Sequence, residues 1–285
     1  MIRLDGATVL LQWAVGGLVF LWVTGRRREV GLGYGWLLRG VYALLALGAF
    51  GIGAFTGHRS AGRSTCALLV ALAALAALAV SVARRRAGVA GQRALAERRT
   101  ARVAAMTGID RAPAARDVDA KEFPAALDLL APAVGVIGLL FAARADGGPA
   151  ALAVLRTLVG AAFLGAVTDA MLLGHWYLVQ PGLSRGPLDE LVTWTMVICP
   201  AEITAMLLPT GMVSVWTGRV NDGWGGTLGW FWAACAVTTF VLCFVTRKAL
   251  EERSYSAVMA ATGLLYLALL TAFGTDLVAR AVLAR

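Results

Sequence analysis

Residues 168–209, TDAMLLGHWYLVQPGLSRGPLDELVTWTMVICPAEITAMLLP, hold most of the polar groups that interrupt the apolar runs of this chain. His175 is followed directly by Trp176 and Tyr177. A histidine at membrane depth is a candidate haem ligand, quinone hydrogen-bond partner or proton relay. The structural alternative is an interfacial histidine bonded to a backbone carbonyl beside an aromatic belt. The second histidine, His58, falls at the opposite end of a span, about 30 Å away across a bilayer core. Ligation of one haem b by both histidines is therefore disfavoured, which leaves a single-histidine haem or a quinone as the possible cofactors.

Two acids lie in the same region. Asp169 stands well inside an apolar run, where an ionised and unpaired carboxylate is costly. At about 100° per residue it shares a helix face with Trp176 rather than with His175. Arg156 is too far along the same helix to pair with it directly. Glu202 sits between Pro200 and Pro209. A proline removes one backbone donor and frees a carbonyl a turn earlier, so the helix is expected to bend or open beside this acid. An acid next to irregular backbone at membrane depth suits a cavity wall, as a proton acceptor, a cation ligand or a quinone contact. A Glu bonded to a neighbouring Thr or Arg is the structural alternative. Asp189 and Glu190 follow a Pro-Gly and Gly-Pro turn and open a helix, where acids suit the dipole. Asp276 is expected at an outer interface, and Asp222 in a turn.

The elements that must carry these groups are membrane helices. Hydrophobic residues make up 59% of 285 and charged residues only 15%, and the polar residues collect in short patches instead of forming helix faces. Mean hydropathy is +0.73. Apolar stretches of this length match the ~20 residues that cross a bilayer core. Residues 66–79, CALLVALAALAALA, do not alternate, which excludes a β-barrel reading in favour of helix. The sequence predicts an all-α polytopic bundle of about eight transmembrane helices, at 7–24, 35–55, 66–83, 126–143, 151–179, 190–216, 226–246 and 256–279. Spans five and six are overlong and are expected to tilt or kink. The first span carries no cleavage signal and is expected to remain in the mature protein.

The chain reads as one membrane domain over residues 1–285 with a basic loop at 84–125. Its Lys and Arg excess places that loop inside and both termini outside, in a bacterial inner membrane. Residues 84–107 are expected to form a basic helix near the headgroups, and 84–116 to meet anionic lipid or a soluble partner. The net charge of +9 is explained by these span-end arginines and implies no nucleic acid. Cys66, Cys199, Cys235 and Cys243 form no CxxC pair and read as buried free thiols. No nucleotide-binding loop, HExxH, EF-hand or suitably placed GxSxG occurs, and no metal site is expected. Echoes of 22–26 in 216–219, of Gly35-Trp36 in Gly229-Trp230 and of Arg59-Ser60 in Arg253-Ser254 raise an inverted repeat of spans one to three in spans six to eight.

Three functions follow as expectations. The first is a membrane subunit of a redox or proton-coupled complex. In it, His175, Trp176 and Tyr177 would face a quinone or haem b between spans five and six, and Asp169 and Glu202 would serve electron transport or proton transfer. The second is a secondary transporter or channel for a small solute or ion, with Glu202 at a broken helix. The third is a non-catalytic assembly factor that docks other membrane subunits or a soluble partner.

Overall fold

The computed structural model describes residues 4–56, 60–89, 121–146, 148–180, 183–252 and 254–284, with isolated positions 94, 97, 98 and 101. His58, Arg59, Arg253 and more than half of the expected basic helix at 84–107 lie outside the described residues. Among the described residues there are only helices, and eight of them are long and apolar enough to cross a membrane. The protein is an all-α, multi-pass membrane bundle.

The spans are α1 Gly6–Gly25, α2 Leu32–Phe55, α3 Ala61–Ala83, α4 Leu130–Ala145, α5 Ala150–Val179, α6 Gly186–Leu207, α7 Thr227–Glu251 and α8 Tyr255–Leu283. Their starts are marked by side chains that satisfy the free amides of a first turn. Asp5 accepts from the Thr8 amide, Ser60 from Arg63 and Ser254 from Ala257. A 3-10 turn, Ala125–Leu129, leads into α4. Pro132 then sits in the first helical turn, where no backbone donor is needed.

Span six is shorter than its apolar run. Pro200 is accommodated inside α6, but the helix stops at Leu207 instead of continuing to 216. Leu208 is extended, as a residue before proline prefers. The chain then folds back, and the Met212 amide reaches the Met206 carbonyl at 2.9 Å. Gly211, at φ +32°, is needed there, because a Cβ would lie 1.9 Å from that carbonyl oxygen. Trp216 belongs to a separate helical turn, Val213–Trp216, outside the span.

Helix pairing divides the bundle into two four-helix rings. In the first, α1 packs on α2, α2 on α3, α3 on α4 and α4 on α1. In the second, α5 packs on α6, α6 on α7, α7 on α8 and α8 on α5. The rings meet where α1 crosses α5. A Cβ on Gly16 would fall 1.8 Å from the Ala161 carbonyl oxygen, and one on Gly165 would fall 2.1 Å from the Gly16 carbonyl carbon. Only glycine permits so close a backbone approach, a common device in membrane bundles, where small residues replace the hydrophobic driving force.

The proximal end of the bundle, where α1 begins, is held by an ion pair between Asp5 and Arg63. The distal end carries Arg26 and Arg27 on Glu190, Arg28 on Glu122, and Arg185 on the carbonyls that end α7. Glu190 is thus an inter-helix ion partner rather than a helix cap. All four cysteines are buried and free.

Candidate functional site

The residues expected to form one site between spans five and six face three different neighbourhoods. His175 is exposed on the outer surface of α5, where its Nδ1 lies 3.3 Å from the Tyr266 hydroxyl of α8. The two rings meet edge to face. Trp176 turns toward the first ring and packs on Tyr34 with ring centroids 6.0 Å apart and planes inclined by 58°, and its indole donates to Gln180. Tyr177 is buried, and its hydroxyl donates to the Ser184 carbonyl.

Asp169 is fully buried and also faces the first ring. Its Oδ1 accepts from the Tyr42 hydroxyl, and its backbone carbonyl accepts from Tyr34 at 3.3 Å. Its Oδ2 has no partner among the described residues. Gly17 of α1 makes the contact between α2 and α5 possible, since a Cβ there would sit 1.9 Å from the Tyr42 ring.

Glu202 lies apart, in the proximal third of the second ring, and is completely buried. Neither of its carboxylate oxygens meets a donor among the described residues, but the Asp276 carboxyl lies within hydrogen-bond reach. It is in electrostatic reach of Asp276, Arg280 and Arg156. Asp276 and Arg280 stand one turn apart on α8 and are also completely buried. The Arg280 Nε donates to Asp276 Oδ2 at 2.7 Å. Both terminal guanidinium nitrogens of Arg280 and the Oδ1 of Asp276 remain without partners among the described residues. Asp276 is therefore buried rather than interfacial as expected. The helix continues to Leu283 and carries both Asp276 and Arg280 into the bundle.

Two further helices complete the cluster. Gln12 of α1 donates from Nε2 to the Thr157 carbonyl at 2.6 Å, and its Oε1 is left unpartnered. Gly160 of α5 provides the floor: a Cβ there would lie 2.9 Å from Asp276 Oδ1, 3.0 Å from Arg280 Nη2 and 3.2 Å from Gln12 Nε2. Arg156, one turn away, is spent on backbone, donating to the carbonyls of Ala205 and Leu208. Those carbonyls are free because α6 ends there. Asp146, buried at the start of the α4–α5 connection, adds a third acid in reach of Arg280.

Buried polar atoms are hydrogen-bonded in the great majority of cases. Here free donors on Arg280 and free acceptors on Glu202, Asp276 and Gln12 gather at one depth, where α1 of the first ring meets the second. Such an arrangement is chemically suited to bridging by water or by a small polar ligand. Two of its acids, Glu202 and Asp276, lie in reach of each other as well as of Arg280. No group of three or more His, Cys, Asp or Glu suited to a metal ion occurs among the described residues.

Sequence reasoning singled out Glu202 but missed its partners. The signal for Asp276 and Arg280 was present, as an acid and a base four residues apart in an apolar helix. Comparison of the chain with models of known families, with curated proteins and with solved structures gives no match.

Proposed function

We propose that the protein is an ion-coupled secondary transporter or channel whose coupling site is the Glu202 cluster. The observation that supports this reading is the fully buried Glu202, with no donor on either oxygen and the Asp276 carboxyl beside it, set next to an Arg280 with two unbonded nitrogens. A carboxylate kept so without a hydrogen bond is destabilising unless something else occupies the space. Two buried carboxyls in reach of each other, Glu202 and Asp276, favour a proton or a monovalent cation as that occupant. The end of α6 at Leu207, only a turn beyond Glu202, gives the site an irregular wall, the setting in which membrane carriers hold their ions. In this reading the proximal end faces outward and the arginine-rich distal end faces the cytoplasm of a bacterial cell.

The test is reconstitution in proteoliposomes with imposed H⁺, Na⁺ or K⁺ gradients and trapped ion indicators. The expected result is flux of one of these cations in the wild type and its loss in Glu202→Gln. Equal flux in both proteins, or no flux of any of the three, would contradict the reading.

A redox role has one observation in its favour. The His175–Tyr266 pair lies on the outer surface of the bundle, where a quinone head could approach from lipid. Quinone retained by the wild type and lost in His175→Ala would support it. Equal quinone content in both proteins would count against it.

A further inference from the structure

The acid that the Glu202 cluster does not use is Asp169. It stands nine residues further along α5 than Gly160, about 13 Å by helical rise. Between the two sites lies the glycine crossing of α1 and α5, where Gly16 and Gly165 leave no room even for a methyl group. Asp169 is not reached from the proximal cluster along that contact. It has a different neighbour on the other side. At the distal end an open cavity is walled by Leu21, Thr24, Arg28, Tyr34, Arg39 and Asp128. Tyr34 links the two, as part of the cavity wall and as the donor to the Asp169 carbonyl.

The groups around the Asp169 carboxyl are phenols. Tyr42 donates to Oδ1, Tyr34 bonds the backbone of the same residue, and Tyr177 lies in electrostatic reach of Tyr34. From α1, Trp13 donates to Thr168, one residue away. No guanidinium or ammonium among the described residues bonds Asp169, and its Oδ2 is bare. A carboxyl in such surroundings is far better accommodated with a proton than as a naked anion.

We propose that Asp169 is a second proton-binding site, at mid-depth and separate from Glu202, which exchanges its proton with the distal cavity past Tyr34. The proton sits on Oδ2, and the Tyr42 hydroxyl holds Oδ1 in place. The proposal rests on the surroundings of Asp169 and not on transport through the Glu202 cluster.

Infrared difference spectroscopy on the reconstituted full chain tests it, carried out in a Glu202→Gln background so that the two acids are not confused. The expected result at neutral pH is a protonated-carboxyl C=O band that shifts down in D₂O and disappears in Asp169→Asn. In Tyr42→Phe the same band moves to higher frequency, because one hydrogen bond is lost. In Tyr34→Phe it remains but responds to D₂O more slowly. Should Asp169→Asn fail to fold, the Tyr42→Phe shift alone identifies the band. A spectrum with no such band, or a band indifferent to D₂O, overturns the proposal. Because Glu202 is replaced throughout, either reading can fail without the other.

Discussion

Each ring of the bundle buries an Arg–Asp pair, and the two pairs are built differently. In the first ring Arg39 donates two parallel hydrogen bonds to Asp128, Nε to Oδ1 and Nη2 to Oδ2, both at 2.7 Å. The guanidinium also lies over the Phe123 ring at 4.3 Å. All of Asp128 is used. In the second ring Arg280 makes a single bond to Asp276 and leaves both terminal nitrogens free, with Glu202 unbonded nearby. The geometry of the first pair is that of a clamp, strong because it is bidentate and satisfied. The second has the same residue types and equal burial but unused hydrogen-bonding capacity. The difference teaches that buried charge alone does not mark a site; unspent donors and acceptors do.

The largest effect should come from breaking the clamp. Asp128→Ala strands Arg39 and is expected to lower stability by about 3–5 kcal/mol, read from thermal unfolding in lipid nanodiscs. Asp276→Ala removes the one bonded partner of Arg280 but leaves Glu202 in reach to take its place, so a smaller loss is expected there. Gly16→Val should come next. Its side chain would enter the α5 backbone, and overpacking of this kind costs about 1–3 kcal/mol, with the two rings pushed apart. Distances between spin labels on α2 and α7 should lengthen in that variant.

A third substitution sharpens the contrast in the opposite direction. Glu202→Met removes a buried acid that makes no hydrogen bond and replaces it with an apolar side chain of similar length. Stability should be unchanged or rise by about 1–2 kcal/mol, while cation flux is lost. A loss of stability comparable to that of Asp128→Ala would mean that Glu202 is structural.

The smallest effect concerns the loop before α7. Asp222 accepts from the amides of Gly226, Trp224 and Leu228, and these bonds, that to Gly226 first, hold its carboxyl below the usual carboxylate range. A carboxyl lowered in the folded state contributes stability above its unfolded value and loses it as pH falls through the folded one. Loop order, followed by tryptophan fluorescence of Trp224, should persist through neutral and mildly acidic pH and decline only below the ordinary carboxylate range.

The membrane architecture was legible because apolar length is a property of contiguous residues. Eight runs became eight helices, with ends displaced by a few positions. The end of α6 was harder to place. The apolar run continues past Leu207, and only Pro209 with Gly211 marks the fold-back. Glu202 stood out as an acid in an apolar run, and so did Asp169. What each faces was not legible, because contact between Tyr42 and Asp169 spans 127 residues. His175 drew notice through its aromatic neighbours, yet helical rotation turns it about 120° away from Asp169 and out to the surface. Arg280 and Arg63 read as span-end charges because their spans were drawn too short. With α3 beginning at Ala61 and α8 ending at Leu283, both enter helices and pair with acids.

The central claim is that the space among Glu202, Asp276, Arg280 and Gln12 is occupied and used. A density map of the protein in lipid, at a resolution that shows ordered water, tests it most directly. Density is expected for water bridging the Glu202 carboxylate to the terminal nitrogens of Arg280 above Gly160, or for a single cation held between the carboxylates of Glu202 and Asp276. Glu202 bonded directly to Arg280, with nothing between them, would contradict it.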